Sequence, residues 1–260
     1  MILKKQYLPL LLLAATVSCT VLEDRRSCPN FIVLDLDYYT GRSSSLSVDC
    51  QSWINGVPNV ETALEYRMDN HVYELPFKDG GMAEILCLTD FGKNGERITP
   101  DGNCIIPPGQ QHIPFYGVYI QSLIEDSDVF IKGRTLNKQY CNLKFTISNV
   151  PFSDFTVSVV SDVCGFNART LEPVRGEFRY EWKEPEYYYS VCIPRQVDDG
   201  NLDIVIHNNF LDSADNEKDI ILHLGKYIRD ERYEWSKPDV ADINAQIDVN
   251  GERTVIQVIQ

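Results

Sequence analysis

The sequence predicts an all-β protein, built from β-sandwich or barrel domains. Apolar and polar residues alternate with a period of two in many short runs, which is the pattern of strands that bury one face. Turn-forming pairs such as Asn94-Gly95, Asp101-Gly102 and Asp199-Gly200 separate these runs. Helical periodicity is scarce. Many short strands with turns between them are typical of sandwiches and barrels.

The predicted elements follow from these runs in chain order. One stretch, 59–66, has the pattern of a two-turn helix with Asn59 as its cap. The alternating runs, each predicted to be a strand, are 31–37, 72–77, 84–89, 117–121, 128–132, 142–148, 155–160, 187–193, 202–208 and 219–224. Residues 142–148 and 154–161 are expected to form a hairpin. A polar break at 132–139 predicts a boundary between an N-terminal sandwich, 19–135, and a C-terminal sandwich, 136–260.

The N-terminus has the three parts of an export signal. Lys4 and Lys5 precede an apolar run at 8–15, and small residues then lead to Cys19. The apolar run is shorter than the roughly 20 residues that a membrane-spanning helix needs. A cysteine at this position is typical of bacterial lipoproteins, so we expect residues 1–18 to be a signal peptide and Cys19 to carry the lipid. An ordinary secretory signal with a nearby cysteine is the alternative.

Charge limits the partners of the mature chain. Removing residues 1–18 leaves 242 of 260 residues and takes away Lys4 and Lys5, so that 22 basic residues face 38 acidic ones. The resulting formal charge of −16 argues against nucleic acid and anionic lipid surfaces as partners. No second apolar segment is long enough to cross a membrane.

Seven cysteines follow Cys19, and their odd number leaves at least one without an intrachain partner. None has the C-x₂-C spacing of zinc sites. Within the expected hairpin, Cys141 and Cys164 fall on opposite parities, so we expect them to point away from each other. Burial as small apolar side chains in strands is the alternative to disulfide formation. The seven are Cys28, Cys50, Cys87, Cys104, Cys141, Cys164 and Cys192.

Catalytic and metal-binding motifs are missing from the sequence. No histidine belongs to an H-E-x-x-H motif or to a pair with the spacing of metal ligands on a helix. The sequence also has no nucleophile elbow, P-loop or dinucleotide fingerprint. Pairing of Cys164 or Cys192 with His207 is a remote alternative. Residues 198–203 suit a polar turn better than a calcium loop. We therefore expect no enzyme activity, no cofactor and no metal.

The C-terminus predicts a hairpin around Asn250-Gly251, a pair that favours a tight type I′ turn. This turn would pair Val249 with Glu252 and Ile247 with Thr254, and would gather the apolar residues on one face. The terminal strand either packs on its own domain or pairs with the open sheet edge of another subunit. The candidate partner-binding residues on it are Ile243, Ile247, Ile256 and Val258.

Aromatic residues concentrate at 178–182 and at 187–189. Strands favour aromatic residues, so packing explains most of them. Alternation must leave some exposed, and an exposed aromatic row would suit a protein or glycan partner.

Several segments in sequence order resemble the fimbrillin-associated anchor lipoproteins, the FimB-type family of type V fimbriae. They are the stretch from Cys19 through Cys28-Pro29 to Asp37, and the segments 105–111, 137–141 and 165–178. The resemblance implies two tandem transthyretin-like β-sandwich domains. It also implies lipid attachment through Cys19 to the outer membrane, with surface exposure, and subunits that join by donating strands.

The resemblance and the residues together lead to one expected function. We expect a non-catalytic outer-membrane lipoprotein that anchors or helps assemble surface fimbriae, with fimbrial subunits as partners. A surface lipoprotein that binds glycans or acts as an adhesin is the alternative.

Overall fold

The computed structural model describes residues 30–37, 48–59, 65–67, 72–89, 99, 102–125, 127–198, 200–209, 219–250 and 253–259. Within these ranges the chain forms strands and one short helix, α1 (Leu224–Asp230). The strands are β1 (Asn30–Asp37), β2 (Val48–Ile54), β3 (Val57–Pro58), β4 (Glu65–Arg67), β5 (Val72–Phe77), β6 (Gly81–Thr89), β7 (Asn103–Ile105), β8 (Tyr116–Ile124), β9 (Val129–Thr135), β10 (Asn137–Lys138), β11 (Tyr140–Ser148), β12 (Phe155–Asn167), β13 (Pro173–Trp182), β14 (Tyr189–Pro194), β15 (Leu202–Asn208), β16 (Ile220–Leu222), β17 (Ile243–Asn250) and β18 (Arg253–Ile259).

The first half of the described chain forms two sheets around one core. One sheet has the strand order β4-β5-β1-β9, and the other has the order β10-β8-β6-β2-β3. Strand β1 pairs antiparallel with β5 and parallel with β9. Alternate side chains of both sheets meet in a buried cluster that includes Ile32, Leu75, Ile85 and Ile120. This is the layered packing of a β-sandwich.

The second half repeats the arrangement with a larger core. Its sheets have the orders β14-β11-β17-β18 and β13-β12-β15-β16. Strand β17 pairs parallel with β11, which holds the C-terminal hairpin in the sheet. Phe145 stacks on Tyr189 with 4.9 Å between ring centroids, and Trp182 meets both rings edge-on. The all-β sandwich prediction is confirmed.

Backbone pairing and a third apolar cluster join the two halves. Strand β7 pairs with β12, and β10 pairs with β8. The third cluster comprises Leu86, Leu88, Cys104, Phe115, Phe166 and Leu171. Strands near residue 136 therefore pair with the first half, while β7 pairs with the second. The domain division at 135/136 stays a prediction.

Two local predictions were wrong. The helix predicted at 59–66 does not include residues 65 and 66, because Glu65 and Tyr66 lie in β4 and pair with β5. The expected hairpin of 142–148 with 154–161 does not form, because β11 and β12 belong to opposite sheets of the second sandwich. The connection crosses the core, which lets both apolar rows bury against each other.

The predicted orientation of Cys141 and Cys164 was also wrong. Both cysteines are buried in the core of the second sandwich. The register of β12 shifts between Ser161 and Val163 and again between Val163 and Gly165. Between Val163 and Gly165 strand β12 advances by two residues while β13 advances by one, so Cys164 is the extra residue of a bulge. A bulged residue departs from the strict alternation of its strand, which is why Cys164 is buried although its parity differs from that of Val157 and Val159.

No helix within the described ranges is long and apolar enough to cross a membrane.

Candidate subunit-contact site

The C-terminal hairpin forms with a register different from the predicted one. The pair nearest the turn is Asn250 with Arg253, and Ile247 lies opposite Ile256. The predicted register placed Thr254 opposite Ile247. The observed one sets isoleucine against isoleucine, and cross-strand packing of β-branched side chains is favourable. Apolar pairing on the core face therefore outweighs the turn preference of Asn250-Gly251.

The predicted partner-binding residues occupy different environments. Ile243 and Ile247 are buried in the core of the second sandwich, and Ile256 is half-buried against that core. Val258 lies opposite Ala245 in the hairpin. The apolar face of β17 thus packs on its own sandwich. Among the described residues no strand pairs with the outer edge of β18, which is the last strand of its sheet.

Strand β18 lacks the features that normally protect a sheet edge. Its seven residues, Arg253–Ile259, contain no proline and only one charge, at the first position. Four of the seven are valine or isoleucine. Natural edge strands are usually short, charged, bulged or covered, because an open row of N–H and C=O groups recruits further strands.

The other edge strands in the described ranges do carry such features. Strands β3, β4, β10 and β16 have two or three residues each. Strand β9 contains Lys132 and Arg134, and β13 has alternating charges from Arg175 to Glu181. Strand β14 is covered at Cys192, which accepts a hydrogen bond from His112 N at 2.8 Å and donates one to Gln111 Oε1 at 3.1 Å.

A groove lined by both apolar and charged side chains lies beside β18. It has a volume of about 340 Å³ and runs between β16, α1 and β18. Its apolar lining comes from Ile220, Ile221, Leu222, Tyr227 and Ile256. Ile221 is 51% exposed, and Tyr227 is exposed as well. The groove therefore separates the edge strands of the two sheets and offers pockets for side chains.

Charged side chains form part of the lining of this groove. Lys226 and Asp230 line its α1 side, and His223 lies 3.0 Å from Asp203 Oδ1. Helix α1 is held in place by Leu224 and Ile228, which are buried in the core. This helix was not predicted from the sequence. Its signal was the apolar spacing of Leu224 and Ile228 at i, i+4, which is weak over only two turns.

The aromatic run at 187–189 is divided between surface and core. Tyr187 is 93% exposed and Tyr188 is also exposed, whereas Tyr189 is buried. The Tyr189 hydroxyl accepts a hydrogen bond from Glu186 N at 3.0 Å, and burial raises its pKa. Only the first two tyrosines are therefore available to a partner.

The remote catalytic pairing does not occur among these side chains. His207 Nδ1 lies 2.6 Å from Asp219 Oδ1 at the surface. Cys164 and Cys192 are buried, and burial raises the pKa of Cys192 to about 12. A buried thiol with a raised pKa is a poor nucleophile. In the described part of the chain no three His, Cys, Asp or Glu residues gather as a metal site. At the start of the 198–203 turn, Asp198 Oδ1 accepts a hydrogen bond from Trp235 N at 2.8 Å.

A second cleft of about 410 Å³ lies where the two sandwiches meet. Arg195 crosses its base and donates to the carbonyl oxygens of Lys138, Trp235 and Lys237 at 3.3, 2.8 and 2.9 Å. Gln139 donates to Gly117 O at 3.3 Å. These bonds connect β8 with the loops of the second sandwich. The arrangement is that of a structural junction between the halves.

The predicted signal peptide and Cys19 lie outside the described residues.

Sequence comparisons find no matching family model and no matching curated protein. Comparison with solved structures does find likenesses. The fimbrial anchor protein Mfa2 from Porphyromonas gingivalis superposes with a TM-score of 0.58 at 8% identity, covering 89% of this chain and 97% of that one. A candidate polysaccharide-binding protein from Bacteroides thetaiotaomicron has a TM-score of 0.58 at 8% identity, covering 89% and 98%. A candidate adhesin from Bacteroides ovatus has a TM-score of 0.55 at 10% identity, covering 89% and 93%. None of the three is named as an enzyme, and the chain shares with all of them one all-β fold over nearly their whole lengths.

Proposed function

We propose that this protein is a non-catalytic surface lipoprotein that anchors or helps assemble fimbriae, and that it contacts another subunit along the outer edge of β18. The observation that carries the proposal is the seven-residue outer edge of β18, with which no described strand pairs, beside a groove lined by apolar and charged side chains. Adding a strand there would extend the sheet order β14-β11-β17-β18 by one. Main-chain hydrogen bonds would give affinity, and alternate side chains in the groove would give specificity.

The shared fold supports this proposal. A fimbrial anchor protein and candidate adhesins have the same architecture over nearly their whole lengths. The described side chains also offer little for catalysis. Burial raises the pKa of the Cys192 thiol, whereas a reactive thiol has a lowered pKa, and the surface histidines His207 and His223 pair with aspartates. Two sandwiches whose described strands end in an edge that can accept a further strand are suited to binding another subunit.

Attachment to the outer membrane is the second part of the proposal. Cys19 would carry the lipid after removal of residues 1–18, and the sandwiches would face the cell exterior. Two or more acyl chains hold a protein stably, because each buried CH₂ contributes about 0.8 kcal/mol. The acidic character of the mature chain fits this mode of attachment, since its charge would not draw it to anionic lipid.

The decisive experiment blocks the edge without disturbing the core. The full chain is expressed in a fimbriated Gram-negative host as wild type and as Val255→Lys/Gln257→Lys, both exposed positions on β18. Lysines on an edge strand oppose strand addition. Val57→Lys is the matched control, because Val57 is an exposed valine of β3 in the first sandwich.

The readout is the set of fimbrial subunits that co-purify, identified by mass spectrometry. We expect the double variant to lose them while the Val57→Lys control retains them. Equal recovery of subunits from all three proteins would contradict a contact along β18.

A second candidate function follows from the exposure of Tyr187 and Tyr188. Two adjacent exposed aromatic side chains suit stacking on a sugar ring, as in a glycan-binding adhesin. Glycan-array binding by the wild type that disappears in Tyr187→Ala would favour this function. Binding that survives in Tyr187→Ala/Tyr188→Ala would remove these tyrosines as the site.

A further inference from the structure

Two buried cysteines face each other across adjacent strands of the first sandwich. Cys50 of β2 and Cys87 of β6 are directly opposite in the antiparallel register. Their Sγ atoms lie 2.8 Å apart, and both side chains are buried. This approach is closer than ordinary packing contacts between non-bonded heavy atoms, which lie at roughly 3.5–4 Å. The two sulfur atoms therefore interact specifically.

The backbone positions suit a covalent bond between these sulfurs. Directly opposite residues of antiparallel strands have Cα atoms about 4.5–5.5 Å apart. Disulfides need a Cα separation of roughly 4.4–6.8 Å. The pair can thus be joined without moving β2 or β6, and the strand register already holds the side chains on the same face.

The strand register sets neither Cys141 nor Cys192 opposite another cysteine. Cys141 lies opposite Ile193, and Cys192 lies opposite Asn142, so the two cysteines point to opposite faces of one sheet. Cys164 Sγ contacts Val174 O at 3.7 Å. Cys104 lies opposite Phe166 and packs in the cluster between the sandwiches.

We propose that Cys50 and Cys87 form a disulfide bond when the chain is exported. Export exposes the chain to an oxidising compartment, where protein disulfides act as oxidants. One cysteine thiolate attacks the donor disulfide and forms a mixed disulfide, and the second thiolate then displaces the donor thiol. The two cysteines lose two electrons and two protons, and the donor disulfide gains the electrons as it becomes a dithiol.

The bond must form before β2 and β6 are fully packed. In the folded chain the hydrogen bond between the two thiols, together with burial, raises the pKa of Cys50 and so suppresses the thiolate that exchange requires. A buried pair that escapes oxidation during folding would therefore stay reduced.

The bond would close a loop that visits both sheets of the sandwich. Between the two cysteines, 37 residues apart, the chain runs from β2 through β4 and β5 in the facing sheet and returns to β6. A cross-link restricts the unfolded chain more as the loop that it closes becomes longer, and the effect grows with the logarithm of the loop length. The fold of the first sandwich is thus stabilised as a whole and not only at one strand pair.

The test measures the oxidation state of each cysteine by peptide mapping without reduction. The full chain is purified from the cell envelope of a Gram-negative host. A second sample is denatured, reduced and refolded in a mixture of reduced and oxidised glutathione. We expect a linked peptide containing Cys50 and Cys87 in both samples, with Cys141 and Cys192 recovered as alkylated thiols. Free Cys50 and Cys87 in both samples would overturn the proposal, and a link found only in the refolded sample would show that the pair can bond but that export does not oxidise it.

Stability provides an independent readout. Adding a strong reductant should lower the melting temperature of the oxidised wild type by roughly 10 °C. The reductant should leave Cys50→Ala/Cys87→Ala unchanged, and Cys192→Ala should keep the wild-type response. A wild-type melting temperature that ignores the reductant would count against the bond.

Discussion

The ammonium nitrogen of Lys138 lies 2.6 Å from Asp242 Oδ1, although the Lys138 side chain is only 3% exposed. The same nitrogen donates to Val240 O at 2.9 Å and lies 4.7 Å from the centre of the Tyr140 ring. Burial acts to raise the pKa of Asp242, but hydrogen bonds from Lys138 and Asn142 outweigh it and lower that pKa. This pair ties β10, which belongs to the first sandwich, to the residue that precedes β17.

Asp242→Asn should destabilise the protein by about 2 kcal/mol, because it leaves a buried lysine charge without its partner. The loss is less than for a fully buried pair, since the Asp242 side chain is 37% exposed and solvent screens it. Urea unfolding measures the difference. Glu234→Gln removes an exposed pair with Lys237 and should cost less than about 0.5 kcal/mol. Equal losses in the two variants would show that burial of Lys138 is unimportant.

The protein should lose stability as the pH falls from 6.5 to 4 because of His112. This buried imidazole lies 3.2 Å from Gln139 O and packs against Phe115 and Phe166. Burial lowers its pKa from 6.5 to about 4, although the bond to Gln139 opposes the shift. The unfolded chain therefore binds more protons than the folded chain between these pH values, and stability is complete only above pH 6.5. The loss should reach about 3 kcal/mol by pH 4.

Urea unfolding at a series of pH values checks the role of His112. In His112→Gln the free energy of unfolding should fall less steeply between pH 6.5 and pH 4, because the contribution of this histidine is gone. This change in slope should be visible even if the variant is less stable at every pH. His207→Gln, which changes a surface histidine, should keep the slope. A His112→Gln protein with the wild-type slope would assign the acid sensitivity to other groups.

Gly165→Ala should weaken the connection between the two sandwiches. A Cβ at this position would lie 2.0 Å from the carbonyl oxygen of Cys104, so β7 would have to move away from β12. We expect a loss of about 2–3 kcal/mol. In Gly117→Ala the Cβ meets the ends of the Leu171 and Leu88 side chains at 2.7 Å, which can rotate, and lies at an ordinary contact distance of 3.4 Å from Cys87 O. Its cost should be about 1 kcal/mol. Thermal unfolding of both variants distinguishes rigid backbone contact from flexible side-chain contact.

Ile247→Ala should cost about 2–4 kcal/mol, because Ile247 is buried and faces Ile256 in the core. Val255→Ala on the neighbouring strand should change the free energy of unfolding by less than about 0.5 kcal/mol, since Val255 is 42% exposed. Denaturant unfolding compares them. A larger loss in Val255→Ala would reverse the assignment of core and outer faces in the hairpin.

The alternating runs, such as 72–77 and 202–208, correspond to strands β5 and β15 almost residue for residue. The signal is local, because each side chain points to the face opposite its neighbour and the apolar row must be buried. The same logic identified the apolar face of β17. By itself the sequence therefore determined the fold class, the position of most strands and which side of each strand is apolar.

Other features depended on contacts between distant residues. Which strands pair is decided by packing across the core, so β11 and β12, adjacent in sequence, lie in opposite sheets. A bulge at Cys164 takes this residue out of the alternation of β12, and the facing isoleucines set the register of β17 with β18. No local pattern carries this information. Whether an edge is open is also a tertiary property: β14 is covered by Gln111 and His112, whereas β18 is not paired on its outer side within the described residues. The candidate contact site is therefore a product of the tertiary structure, because a backbone N–H or C=O is free for a partner only where the folded chain leaves it uncovered.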